Sequence, residues 1–155
     1  MHLRPLLAKL DAAADFLQSP LLLAIRLYWG WQFAQTGWGK LTHLKRTIGF
    51  FESLDIPLPQ VNAVLAGTTE CVGGALLALG LFARPASVPL IFTMLVAYWT
   101  ADRDALNAIG SDPDKFVTAA PFLFLLASLI VLVFGPGRLS LDALLGGKAA
   151  ASPGK

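Results

Sequence analysis

The chain reads as all-α: a four-helix transmembrane bundle with an amphipathic interfacial helix between spans 1 and 2. Three features lead there. Apolar residues make up 55% of the 155 positions and charged residues only 14%, too little charge to cover a soluble domain of this size. Four apolar segments follow one another, in a range where a spanning helix needs about 20 mainly apolar residues. Turn and capping signals (Ser19-Pro20, Arg84-Pro85, Ser111-Asp112-Pro113 and the Gly135–Gly137 "GPG") mark the boundaries of those segments, with only Pro89 and Pro121 among the prolines falling inside them.

Taken in order, the N-terminal stretch "MHLRPLLAKLDAAADFLQSP" is a poor signal peptide, because Arg4, Lys9, Asp11 and Asp15 interrupt any apolar core. Leu3, Leu6, Leu7, Leu10, Ala14 and Leu17 keep helical spacing, which suits a short helix lying on the membrane surface, with a frayed tail as the alternative. Ser19-Pro20 looks like an N-cap followed by proline at the first helical position, opening a first span over Leu21–Leu41. In "THLKRTIGFFESLDIPLPQ", Leu44, Ile48, Phe51 and Leu54 share one helical face, while Lys45, Arg46, Glu52 and Asp55 fall elsewhere. That is the interfacial helix, ended by Pro57. A second span covers Val61–Phe82 and is stopped by Arg84-Pro85; a shorter third covers Ala86–Ala101. The connection "DRDALNAIGSDPDK" is polar and acidic. Ser111-Asp112-Pro113 opens a fourth span, Phe116–Phe134, in which Pro121 predicts a kink. "GPG" at 135–137 ends it. The whole reads as one membrane domain over residues 1–146 and a disordered tail over 147–155.

The net charge of +2 gives no reason to expect nucleic acid as a partner; the lipid bilayer is the expected one. Cys71 is the single cysteine, so no internal disulfide or dithiol pair exists. The two histidines, His2 and His43, lie outside the spans and could not ligate a buried haem. No carboxylate–histidine cluster suggests a metal, and no glycine-rich phosphate loop is present. Charge leaves the orientation open. One side would carry Arg4, Lys9, Arg84, Arg138, Lys148 and Lys155, the other Lys40, Lys45, Arg46, Arg103 and Lys115.

The candidate site comes from charges that sit inside the spans. Arg26, Gly30, Phe33, Gly37 and Lys40 share one face of the first span, and Ala63, Gly67, Glu70, Gly74 and Leu77 share one face of the second. The small residues Gly30, Gly37, Gly67 and Gly74 would let the two helices approach closely. An ionised residue at a helix centre costs about 2.5–3.5 kcal/mol on insertion scales. Arg26 and Glu70 are therefore expected to turn inward and interact, directly or through one bridging group, because they differ in depth by roughly 10 Å at 1.5 Å per residue. Gln32, Gln35, Thr36, Thr68 and Thr69 are polar neighbours, and Lys40 is the other cation at hand. Trp29, Trp31 and Phe33 could line a pocket for a flat ligand such as a quinone. The plainer reading is an ion pair and aromatics that only fix packing.

"RLYWGWQFAQTGWGKL" (26–41), "GTTECVGGALLALGLFAR" (67–84) and "GPGRLSLD" (135–142) resemble the DoxX family in their order and spacing. The resemblance implies a small multi-pass protein of the cytoplasmic (inner) membrane, a four-helix bundle with both termini in the cytoplasm. The family takes its name from a relative in a thiosulfate:quinone oxidoreductase complex, and other members look like accessory subunits of membrane redox or detoxification systems. Its recurring arginine, glycine–lysine and glutamate positions match Arg26, Gly37, Lys40 and Glu70. Many relatives carry a histidine in or after the third span; "AYWTADRDAL" has none. The resulting expectation is a membrane subunit of a redox or detoxification complex, binding a quinone-like or other small apolar molecule. It would work with a soluble or membrane oxidoreductase subunit, or as a homo-oligomer. A non-enzymatic scaffold or small-solute carrier is the alternative. An enzyme acting alone is not expected, since no metal, flavin or dithiol is evident to pass electrons.

Overall fold

A computed structural model describes residues 3–146; the tail expected to be disordered, 147–155, lies outside the described residues. Every regular element among those residues is helical. They are α1 (Leu3–Thr42), α2 (Leu44–Ser53), α3 (Pro59–Leu79), α4 (Ala83–Thr100), α5 (Arg103–Asn107), a single 3₁₀ turn (Ala108–Gly110), α6 (Pro113–Thr118), α7 (Pro121–Phe134) and α8 (Leu141–Leu145). α1 runs along α3, α4 packs on both α3 and α7, and α7 returns to touch α1.

The first departure from expectation is α1. It does not begin at Pro20 but runs 40 residues without interruption, with Pro20 inside it. Proline's fixed φ suits a helix; what it forfeits is the N–H bond to the carbonyl of Phe16, four residues back. Phe16 and Pro20 are both exposed, so that carbonyl is not trapped in an apolar interior. Residues 7–18 are exposed throughout and extend the helix beyond the other elements' packing.

α2 forms where expected. Leu44, Ile48, Phe51 and Leu54 are half-buried, while Lys45, Arg46, Glu52 and Asp55 are exposed. α3 ends at Gly80, not at Arg84-Pro85. Gly80 adopts φ 65°, the Leu81 N–H donates to the Leu76 carbonyl and the Gly80 N–H to that of Leu77. This is a helix stop built on a left-handed residue, which glycine enters without a Cβ penalty.

The expected fourth span divides. α6 ends at Thr118, Ala119 turns extended at ψ 146°, and Pro121 opens α7 as its first residue rather than kinking a longer helix. Proline has no N–H to give to the preceding turn, so a break followed by a proline start costs less than a proline in mid-helix. The Tyr98 hydroxyl donates to the Phe116 carbonyl at 2.8 Å, and the two rings stack 4.6 Å apart, tying α6 to the end of α4.

By length and composition, α3 is the one described helix that alone meets the requirement for crossing a bilayer; α7 is apolar but has 14 residues. At 1.5 Å per residue α7 is about 21 Å long, short of the hydrocarbon core of about 30 Å. Phe33, Leu77, Ala83, Leu90, Met94 and Val131 form the core, with Phe124 and Leu125 packed against it.

Candidate functional site

The α1–α3 seam positions everything of chemical interest. A Cβ added at Gly30 would come within 2.6 Å of the Ala78 nitrogen, and one at Gly74 within 2.6 Å of the Ala34 nitrogen. Gly37 abuts Cys71 and Gly67 in the same manner. Only hydrogen fits between these antiparallel backbones. Gly67 is less constrained, since its hypothetical Cβ meets the flexible end of Leu41. Phe33 packs beside Gly74 in the middle of the seam, and toward each end lies a buried charge.

At one end Glu70 is buried, 1% exposed. Its carboxylate receives the Lys40 ammonium on both oxygens. The Lys40 side chain is itself 31% exposed. It lines an open groove of about 470 Å³ together with Thr36, His43, Arg46, Thr47 and Phe50. The ion pair is thus dry on the Glu70 side and wet on the Lys40 side.

At the other end Arg26 is fully buried. One terminal nitrogen donates to the Leu139 carbonyl at 2.5 Å and the other to the Ala78 carbonyl at 3.4 Å. Its Nε has no partner among the described residues. Ala78 lies in the last turn of α3, where the helix dipole presents partial negative charge to a cation. Leu139 belongs to the segment after α7, which folds back over this end. There Ser140 caps α8 by accepting from the Ala143 N–H. Asp142 accepts from the Phe82 and Ala83 N–H groups at 2.8 and 3.1 Å, capping the start of α4. The Asp142 N–H donates to the Gly80 carbonyl at 2.9 Å. "GPGRLSLD" is therefore a strap that closes the α3–α4 turn and seals Arg26.

Of the Arg26–Glu70 interaction expected from the sequence, direct or through one bridging group, the direct form is not made. Glu70 pairs with Lys40, and Arg26 uses backbone carbonyls. The depth offset explains it. A pair split by several residues along the seam is outcompeted by partners at each charge's own level. The remaining candidates also separate. Trp29 packs edge-on against Phe124 of α7 at 5.0 Å, and Phe33 lies wholly in the core, 4.6 Å from the same ring. Trp31 is exposed and points away from them. Gln32 is half-buried and Gln35 exposed, and among the described residues neither hydrogen-bonds to Arg26 or Glu70. Trp29 and Phe33 therefore fill space between helices rather than wall a pocket.

Sequence reasoning missed the strap's role and the groove. Ser140 followed by "LDALL" carries a helix-start signal, a capping serine with an acid in the first turn. It was legible; its docking on Arg26 was not. His43 and Arg46 became site residues only when α2 folded against the end of α1.

Small residues and charges inside, with large apolar residues outside, define a membrane protein. Leu27, Trp31, Val64, Leu65, Phe92, Leu95, Leu126 and Val133 are all exposed. The DoxX family matches residues 21–103, more than half of the chain. Among curated proteins, the inner membrane protein YphA of Escherichia coli (strain K12) is 32% identical over 128 residues, covering 79% of this chain and 88% of its own. An uncharacterized membrane protein of Mycobacterium tuberculosis, Rv3486, is 35% identical over 144 residues, covering 85% of each. No solved structure matches. The chain belongs to the DoxX family.

Proposed function

We propose that this protein is a four-span subunit of the inner membrane, both termini cytoplasmic, serving a redox or detoxification complex. In this reading it holds a small molecule with a polar head and an apolar body, a quinone being one such, at the Lys40–Glu70 pair. The observation that carries it is the asymmetry of that pair: a buried carboxylate whose lone cation opens onto a groove. A pair serving only to fix packing has no need of access. The apolar outer faces of α1, α3, α4 and α7 support four spans. α6 supplements α7, the two together covering residues 113–134 with one break.

A second reading, a non-enzymatic scaffold, is favoured by Arg26, whose guanidinium is closed off by the strap and serves no approaching ligand. Extraction of lipids from the purified protein separates the two. Near-stoichiometric quinone that is lost in Lys40→Met, with the protein still folded, supports the ligand site. Absence of any bound small molecule leaves the scaffold. Reporter fusions after Phe82 and at the C-terminus should read cytoplasmic and one near Asp55 should not; an external C-terminus overturns the orientation.

A further inference from the structure

The groove beside Lys40 has a chemistry that narrows its occupant. Three residues able to carry positive charge, Lys40, His43 and Arg46, line it together with the hydroxyls of Thr36 and Thr47. No acid lines it; Glu70 lies behind Lys40 and already neutralises that charge. What remains is Arg46, exposed on α2, and His43, whose Nδ1 lies 3.2 Å from the Gly39 carbonyl and 3.1 Å from the Thr42 hydroxyl, with no hydrogen bond at Nε2 among the described residues. Lys40 gives two N–H groups to Glu70 and keeps a third. The Thr36 and Thr47 hydroxyls donate to backbone carbonyls, which fixes their rotamers at the wall.

Position adds to the chemistry. The groove lies where α1 ends and α2 begins, in the same last turns of α1 as exposed Trp38, a residue type enriched at the membrane–water boundary. Phe50, half-exposed at 52%, forms its apolar lip. A guanidinium with neighbouring N–H donors above an apolar lip suits a phosphate oxygen pair, because such charge-assisted bonds are the stronger ones. The uncompensated charge is about one unit, so a head with a net charge of one negative unit is matched better than a zwitterionic one, whose tethered ammonium cancels the charge of its phosphodiester.

We infer that this groove binds the phosphodiester of an anionic membrane lipid, the head held by Arg46, His43 and the free N–H of Lys40, the chains leaving past Phe50. The inference rests on the groove being the ligand site proposed above, and gives that ligand a class.

The test uses the full-length protein in detergent and native mass spectrometry to count retained lipid. Phosphatidylglycerol should bind roughly tenfold more tightly than phosphatidylcholine, whose phosphodiester is the same but whose tethered ammonium cancels the net charge offered to Arg46. Arg46→Gln with His43→Gln should abolish that preference. Lys45→Gln, which removes one charge from the same helix outside the groove, should change it less than about twofold, as for a solvent-exposed charge. Equal binding of the two lipids overturns the inference, as does an equal loss in Lys45→Gln, which would mean diffuse attraction. Competition by inorganic phosphate at the same concentration overturns it in favour of a free-anion site. Quinone retained at the groove without any preference for phosphatidylglycerol overturns this inference and leaves the ligand site standing.

Discussion

The two ends of the α1–α3 seam face one problem and solve it differently. Each must hold a charge out of water. At the Arg26 end the partners are backbone carbonyls, one from the last turn of α3 and one from the strap after α7. At the Glu70 end the partner is a single flexible side chain reaching in from the margin. Carbonyls fixed by helix and loop geometry cannot leave, so the Arg26 end is closed and structural. Lys40 is partly exposed to the groove, so in the proposed reading the Glu70 end can exchange partners. A charge bound to backbone holds a fold together; a charge bound to a mobile side chain can also meet a ligand.

The comparison breaks most completely if the seam itself is opened. Gly74→Leu would force a branched side chain against Ala34 and Gly30, where a bare Cβ already has no room. Overpacking at a site that cannot relax costs about 3 kcal/mol or more. Both ends should fail together, seen as loss of folded protein in a detergent unfolding assay. Leu132→Ala, on half-buried α7 surface, should cost less. Equal tolerance of the two would mean that the helices are not held as closely as described.

A smaller change should open only the sealed end. Arg26→Lys keeps the charge but loses the fork that bridges Ala78 and Leu139. A stability loss of about 2 kcal/mol is expected, the scale of a charged hydrogen bond with its buried acceptor left unpaired. The strap should loosen with it, so trypsin should cut faster after exposed Arg138. Asp142→Ala should do the same, because it frees the start of α4. Unchanged cleavage in both would show that the strap is held by other contacts. Lipid retention at the groove should not move in either variant.

How much of this could be read from the chain depends on range. Periodicity and turn residues placed α2, α3, α4 and the end of α7 to within a few residues, because those signals are local. They failed at Pro20 and Pro121 in opposite senses. Each proline is compatible both with a helix interior and with a helix start, and tertiary surroundings decide which. The buried charges were legible as residues but not in their pairing. The shared helical face of Arg26 and Lys40, and that of Glu70, follows from spacing alone. Which cation meets the acid depends on the axial register of α1 against α3, and the glycines set that register through contacts separated by some forty residues. The strap is further still: Leu139 and Arg26 stand 113 positions apart, and no local pattern connects them.

The finest test sharpens the contrast within the Lys40–Glu70 pair itself. Its members are unequally buried: Glu70 has 2% of its side chain exposed and Lys40 31%. Removing one therefore leaves different orphans. After Lys40→Met, a carboxylate remains inside with no cation and no water, the uncompensated case that destabilises strongly. After Glu70→Gln, the amide still accepts one hydrogen bond, and the ammonium can extend along its own stem into the groove and be solvated. Lys40→Met should therefore cost about 2 kcal/mol and Glu70→Gln less than about 1 kcal/mol. The double variant Lys40→Met with Glu70→Gln should lie above Lys40→Met alone, because the second change removes the orphaned charge. Thermal unfolding of the four proteins in one detergent measures all of this. Equal single losses would mean that Glu70 reaches water by some route, and the seam would then be open at this end too. A double variant that loses the sum of both would mean that the two residues act on stability independently, and the groove would have to be explained without the pair.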